Sequence, residues 1–310
     1  MSMKIPNYRI MATSSKCFVV SAILMVTVLI GSFIFGVQLH IQFSGGAIIT
    51  YSYQGELDSS AFAQAAAELS GVPVTVQQST DLMTGMETMV LSLPEGDNLT
   101  SEQMLALHEG MRAAFPEASL HEEEVSNVSA TMGTEFLMKS IVAITLAAIL
   151  MIVFIAFRFK RIGGMSAGVT GVLALIHNVV IVLGVHVFFG IPISANFIAV
   201  VLTILGYSIN DTIVIFDRIR ENKKLFGDKK PLPQLVDRSM NQSLRRSINT
   251  TATTVGCMAI VAIVASIYGV DTIVTFVVPM IVGLIAGAYS SIFIAGPLWV
   301  RWQERKAAAA

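Results

Sequence analysis

Charge is scarce in this chain: Asp, Glu, Lys and Arg together make up 13% of its 310 residues. Globular domains carry about twice that share, roughly 25%, so a fully water-exposed protein of this length is excluded. Cysteine is rarer still. Cys17 and Cys257 are the only two, and neither lies in the polar stretch 38–133, so no disulfide framework exists there. Both are expected to be small packing residues. There is no phosphate-cradling loop that ends in Lys-Ser/Thr, and no Cys/His cluster at metal-ligand spacing. His108 and His121 have no cysteine beside them, and the nearby serines lie in no nucleophile motif. These absences argue against an ATPase, a metalloenzyme or a hydrolase. No enzyme activity, cofactor, metal or nucleic-acid partner is expected.

What is abundant is apolar: 54% of residues are hydrophobic and the mean hydropathy is +0.70. The expected fold class is a polytopic α-helical membrane protein, with six transmembrane helices and an extracytoplasmic α+β domain between spans 1 and 2. Runs near the ~20 residues needed to cross a bilayer fall at 18–37, 137–157, 167–189, 193–216, 247–268 and within 272–300. The first is too long for a signal-peptide core, and no small-residue cleavage site follows it. Charges are segregated. Thirteen acids and a single base, Arg112, lie between Gln38 and Gly133. Nine bases against three acids lie between Arg218 and Arg246. Positive residues stay inside, so both termini and the 218–246 loop are expected in the cytoplasm. The expected domains are 1–37, an N-terminus with the first span; 38–135, an outer domain; and 136–310, a five-helix bundle.

The outer stretch reads β-α-β-β-α-β, a ferredoxin-like order. Strands are expected at 47–53, 74–79, 88–93 and 120–128, with a turn at Asp81–Gly85. Asp58 is placed to cap the first helix. Thr100 to Gln103 is a T-x-x-Q capping box that opens the second.

Polar residues inside the apolar runs carry the functional signal. Asp211, next to Asn210, lies about 9 Å inside Asp217 at ~1.5 Å of rise per residue. A mid-membrane acid costs roughly 2.5–3.5 kcal/mol on insertion scales and is a functional-site hypothesis by default. Tyr207, Asp211 and Val214/Ile215 share a helical face that holds no cation within its turn, so the partner must come from another helix. The fifth span offers a candidate in Arg246, either that partner or a positive-inside anchor, at the start of a polar stripe through Asn249, Thr250, Thr253, Thr254 and Cys257. Arg245, in contrast, reads as an anchor. His177 and Asn178 sit mid-way in the third span, where a histidine serves either as a proton relay or as a neutral packing residue. His186 is expected at the outer interface. Gly206, Gly283, Gly287, Ser290 and Ser291 are small residues expected to let helices pack closely. An acid, an arginine and buried hydroxyls in a helix bundle suit a proton or cation path.

Five segments in order carry a specific resemblance: FSGG (43–46), MGTEF (132–136), YSINDTIVIFDRIREN (207–222), NQSLRRSINTTATT (241–254) and GLIAGAYSSIFIAGPL (283–298). Together they resemble the SecD/SecF family of bacterial protein-export membrane subunits, in the resistance-nodulation-division superfamily. The resemblance covers essentially the whole chain. It implies residence in the bacterial inner membrane, a SecD partner, and work on preproteins that leave the SecYEG channel, driven by the proton gradient or by sodium. By the same resemblance, Asp211 matches the family's membrane acid and Arg246 its fifth-span arginine. Asn178 departs from the pattern, because the family commonly carries an acid after the third-span histidine. Two other classes stand beside this reading: a small-molecule proton antiporter of the same superfamily, and a passive scaffold subunit.

Overall fold

A computed structural model describes residues 8–72, 74–80, 87–93, 100–128 and 130–309. Six helical runs in it are long and apolar enough to cross a membrane. The first is α1 (Ile10–Phe35), which starts eight residues before its apolar run because nothing breaks the helix there. A short α2 (Ile41–Ser44) then leads into β1 (Gly46–Tyr53), α3 (Ser59–Ser70), β2 (Thr75–Thr80), β3 (Glu87–Leu93), α4 (Ser101–Ala114) and β4 (His121–Val128).

These elements form one antiparallel sheet in the order β2-β3-β1-β4, the ferredoxin-like arrangement expected. Alternation along β1 sends Ala47, Ile49, Tyr51 and Tyr53 to one face. There they meet Phe62 and Ala66 of α3 and Leu107 and Met111 of α4. Asp58 caps α3, and Thr100 and Gln103 close the reciprocal box on α4. The turn expected at Asp81–Gly85 lies outside the described residues.

The chain returns to the bundle through α5 (Ala130–Arg158), α6 (Gly164–Phe189), α7 (Ala195–Phe226), α8 (Leu232–Ile267), α9 (Asp271–Ser290) and α10 (Gly296–Ala308). A single π turn, Ser291–Ala295, joins α9 to α10. The segment 218–246, expected as a loop, is mostly helical. Both α7 and α8 run past the apolar boundary, and only 227–231 separates them. Charge leaves the membrane without breaking the helix, and i,i+3 ion pairs reward the extension: Arg220 with Asp217 at 2.8 Å, and Arg218 with Glu221. Asn222 locks the two extensions together by donating to Ser239 Oγ (2.8 Å) and Gln242 Oε1 (2.9 Å).

Small residues set the helix spacing. A Cβ at Gly283 would fall 2.0 Å from Ile204 Cδ1, and one at Gly287 would fall 3.2 Å from Ser208 Cβ. These glycines of α9 admit α7. Gly206 meets no helix of this chain, because a Cβ there would find nothing within 4 Å.

The outer domain is tied to the bundle at three places: to α1, to α5, and to the turn before α7. Phe43 stacks on Phe136 of α5, and Gly133 lies against the Gly45 and Phe43 backbone, where a Cβ would sit 2.9 Å away. The third tie is one the sequence did not suggest. His40 N donates to the Ile193 carbonyl (2.9 Å), Ile193 N donates to the Gln38 carbonyl (2.8 Å), and Gln42 Oε1 accepts from Ala195 N (3.0 Å). The entry to the outer domain therefore holds the first residue of α7.

Candidate functional site

Asp211 is buried in α7, at 3% exposure. It has no salt bridge among the described residues. On α8 the Ser247 side chain is within reach of its carboxylate, and Arg246 acts on it through space. The Ser247 hydroxyl, itself buried, completes no hydrogen bond of full geometry. Thr251, one turn further along α8, is buried in the same condition.

The buried polar stripe of α8 is thus Ser243, Ser247 and Thr251, at i, i+4 and i+8. That spacing is visible in the sequence, but Arg246 drew attention to the neighbouring stripe. In the structure Arg246, Asn249 and Thr253 are exposed, and Thr250 is half-buried. Thr250 and Thr253 return their hydroxyls to their own helix, to the Arg246 and Asn249 carbonyls. Thr254 is the member that meets α7: its hydroxyl pairs with Tyr207 Oη at 3.0 Å. Asn210 is exposed and stands apart from the acid beside it in sequence.

A cleft of about 250 Å³ enters between α7 and α8 from the charged end, lined by Val214, Asp217, Arg218, Gln242, Ser243 and Arg246. It ends one turn short of Asp211 on α7 and one turn short of Ser247 on α8. Asp217 marks the mouth, paired with Arg158 of α5 at 3.1 Å.

A second polar cluster involves Ser208 and Thr212, on the neighbouring face of α7. Ser291 Oγ, on the π turn, donates to the Ser208 carbonyl (3.2 Å) and pairs with Thr212 Oγ1 (3.1 Å). The Asn178 amide fits between α6, α7 and α9. In the orientation that satisfies both its ends, its nitrogen donates to Ser290 Oγ (2.8 Å) and the Ala286 carbonyl (3.1 Å), and its oxygen accepts from Ser208 Oγ (3.1 Å). Ser290 and Ser291 therefore work as hydrogen-bonding groups as well as small ones. His177 is buried, with Nδ1 facing the Asn178 amide and Nε2 without a partner among the described residues. His186 is also buried, with Nδ1 at 3.2 Å from the Ile191 carbonyl; it fastens the turn after α6 rather than meeting the interface. π turns inside helices concentrate at functional sites, and this one borders the helix that carries Asp211. The described residues contain no metal-binding cluster of three or more His, Cys, Asp or Glu.

Residues 109–305 match the family described as protein export membrane protein SecD/SecF, C-terminal. Protein translocase subunit SecF of Sebaldella termitidis is 33% identical over 94% of this chain and 91% of its own length. The SecF of Alicyclobacillus acidocaldarius is 33% identical over 97% and 94%. The crystal structure of SecDF, a translocon-associated membrane protein from Thermus thermophilus, superposes with a TM-score of 0.82 at 29% identity. The match covers 98% of this chain and 40% of that longer one. The chain belongs to the SecD/SecF protein-export family, and within it to the SecF translocase subunits.

Proposed function

We propose that this subunit, together with a SecD partner, couples the proton gradient to preprotein movement out of the SecYEG channel in the bacterial inner membrane. Asp211 is the coupling group. The observation that carries the reading is a membrane acid buried without an ion pair among the described residues, one turn from a cleft that opens at the charged end, with Arg246 acting on it through space. Burial disfavours a charged carboxylate and a cation favours it. An acid held between these two influences changes its charge when a proton arrives. Protonation cancels the attraction to Arg246 and lets α7 move relative to α8.

The motion has a route outward, because the first turn of α7 is bonded to the entry of the outer domain through Ile193 and Ala195. With the basic helix extensions in the cytoplasm, the sheet domain lies outside, where the preprotein emerges. One charge that crosses 100 mV yields roughly 2.3 kcal/mol, enough to bias a two-state element about fiftyfold. Sodium is the other ion this site could serve, and replacing the proton gradient with a sodium gradient distinguishes them.

SecD completes the site. Gly206, Asn210, Arg246, Asn249 and Thr253 form an exposed small-and-polar face on adjacent helices α7 and α8. Such a face avoids lipid and meets other helices. SecDF relatives such as that of Bacillus subtilis, where this chain matches 37% of the length at 29% identity, carry SecD and SecF names in one chain.

The test is export in membrane vesicles with and without an imposed proton gradient, comparing the native chain with Asp211→Asn at equal insertion. Loss of only the gradient-driven component is the expected result. An unchanged response would leave the subunit as a scaffold.

A further inference from the structure

A groove of about 640 Å³ lies between the ends of α5, α6 and α10. One part of its wall is apolar and open to the surroundings: Phe157 is 78% exposed, Met165 64% and Trp302 42%. The other part is basic, with Lys160 and Lys306 at the rim. No acid lines the groove, and neither lysine pairs with a carboxylate among the described residues. The remaining polar group is already engaged: Gln303 Nε2 donates to Ser166 Oγ at 2.8 Å. None of the lining residues belongs to α7 or α8, so the groove lies apart from the acid and from the face assigned to SecD.

The place in the fold narrows the ligand. Phe157 is in the last turn of a membrane-spanning helix, and Lys160 follows directly outside it. A tryptophan at that level is an interface residue. Two free cations above an apolar wall at the membrane edge select an anion joined to a hydrocarbon chain. A small inorganic anion would have no use for the wall, and a neutral lipid would have no use for the lysines. Basic pockets between helix ends bind anionic lipid head groups in this way.

We propose that this groove is a site for one anionic phospholipid, with its phosphodiester at Lys160 and Lys306 and an acyl chain along Phe157, Met165 and Trp302. The inference requires only that the chain is embedded in a bilayer, and it stands or falls independently of ion coupling.

Trp302 reports on its own site, because Trp299, the other tryptophan, is buried in the core. The full chain would be placed in nanodiscs of phosphatidylcholine that contain increasing fractions of acyl-brominated phosphatidylglycerol or acyl-brominated phosphatidylcholine. The expected result is quenching of Trp302 at about thirtyfold lower mole fraction of the anionic lipid, an order set by two lysines near the surface. The exposed double substitution Lys160→Gln/Lys306→Gln should make the two lipids equivalent while circular dichroism stays native; each single substitution should lower the preference partway. Equal quenching by both lipids in the native chain would overturn the proposal, as would a preference that survives the double substitution. A preference abolished by inorganic phosphate, but not by chloride at matched ionic strength, would also overturn it in favour of a free-anion site.

Discussion

Asp211 and Asn178 are polar residues at similar depth, and their surroundings give them opposite characters. The Asp211 carboxylate has one incomplete hydroxyl contact and a distant charge, so its bonding is left open to change. The Asn178 amide is saturated, with both hydrogens and the oxygen accounted for. Asn178→Asp would turn a donor that serves the Ala286 carbonyl into an acceptor, leaving two buried acceptors face to face. We expect it to destabilise the bundle by about 1–3 kcal/mol, read as a lower melting temperature in detergent. The pocket of this chain is thus built for an amide. In the outer domain, Tyr51 is fully buried and its hydroxyl has no partner among the described residues. Tyr51→Phe should leave stability equal or higher by up to about 1 kcal/mol, measured by hydrogen exchange of the β1–β3 ladder. A loss of protection would disprove this reading.

The sheet and the helix pairs make their own claims. Tyr53 on β1 donates to Glu87 on β3 and accepts from Gln78 on β2, a bridge across three strands. Burial first, and then the Glu87 hydrogen bond, push the Tyr53 hydroxyl up to about 12. The folded value exceeds the ordinary one of 10.0. The protonated bridge therefore supports the sheet fully below about pH 10, and that support is lost as pH rises toward 12. Outer-domain stability should fall over that interval, and Tyr53→Phe should flatten the fall. Between helices, α9 approaches α7 at Gly283, with no room for a larger side chain. Gly283→Leu should cost about 1–3 kcal/mol through overpacking, seen as reduced insertion or melting temperature. The G-x-x-x-G spacing announced this contact. At Gly206 the space beside the helix is empty in this chain; a glycine shows that close approach is allowed, never which chain makes it.

Across the whole molecule, the face of α7 and α8 that carries Gly206 and Asn249 is finished only by another helical bundle. Gly206→Trp should leave this chain folded, since the space beside Gly206 is empty, and should abolish co-purification with a SecD partner. Retained co-purification would move the interface elsewhere. The outer domain, joined to the bundle at three places, is positioned to follow α7. Gly133→Ala, which forces apart the Gly45 and Phe43 backbone, should weaken that linkage. Export driven by the gradient should fall more than the amount of inserted protein does.

Composition and residue spacing were enough to specify the six spans, the sheet domain between the first two, and Asp211 as an acid inside an apolar run. Each of these follows from local physics: the length of an apolar run, alternation or capping at fixed spacing, and the cost of a charge in hydrocarbon. Tertiary structure alone decided which neighbours those residues meet. It set Ser247 against the acid and left Arg246 exposed, joined Ser208, Ser291 and Thr212 into one cluster, and tied Ile193 to the entry of the outer domain. Residues one position apart on a helix point 100° apart, and only the packing of neighbouring helices determines which of them is covered.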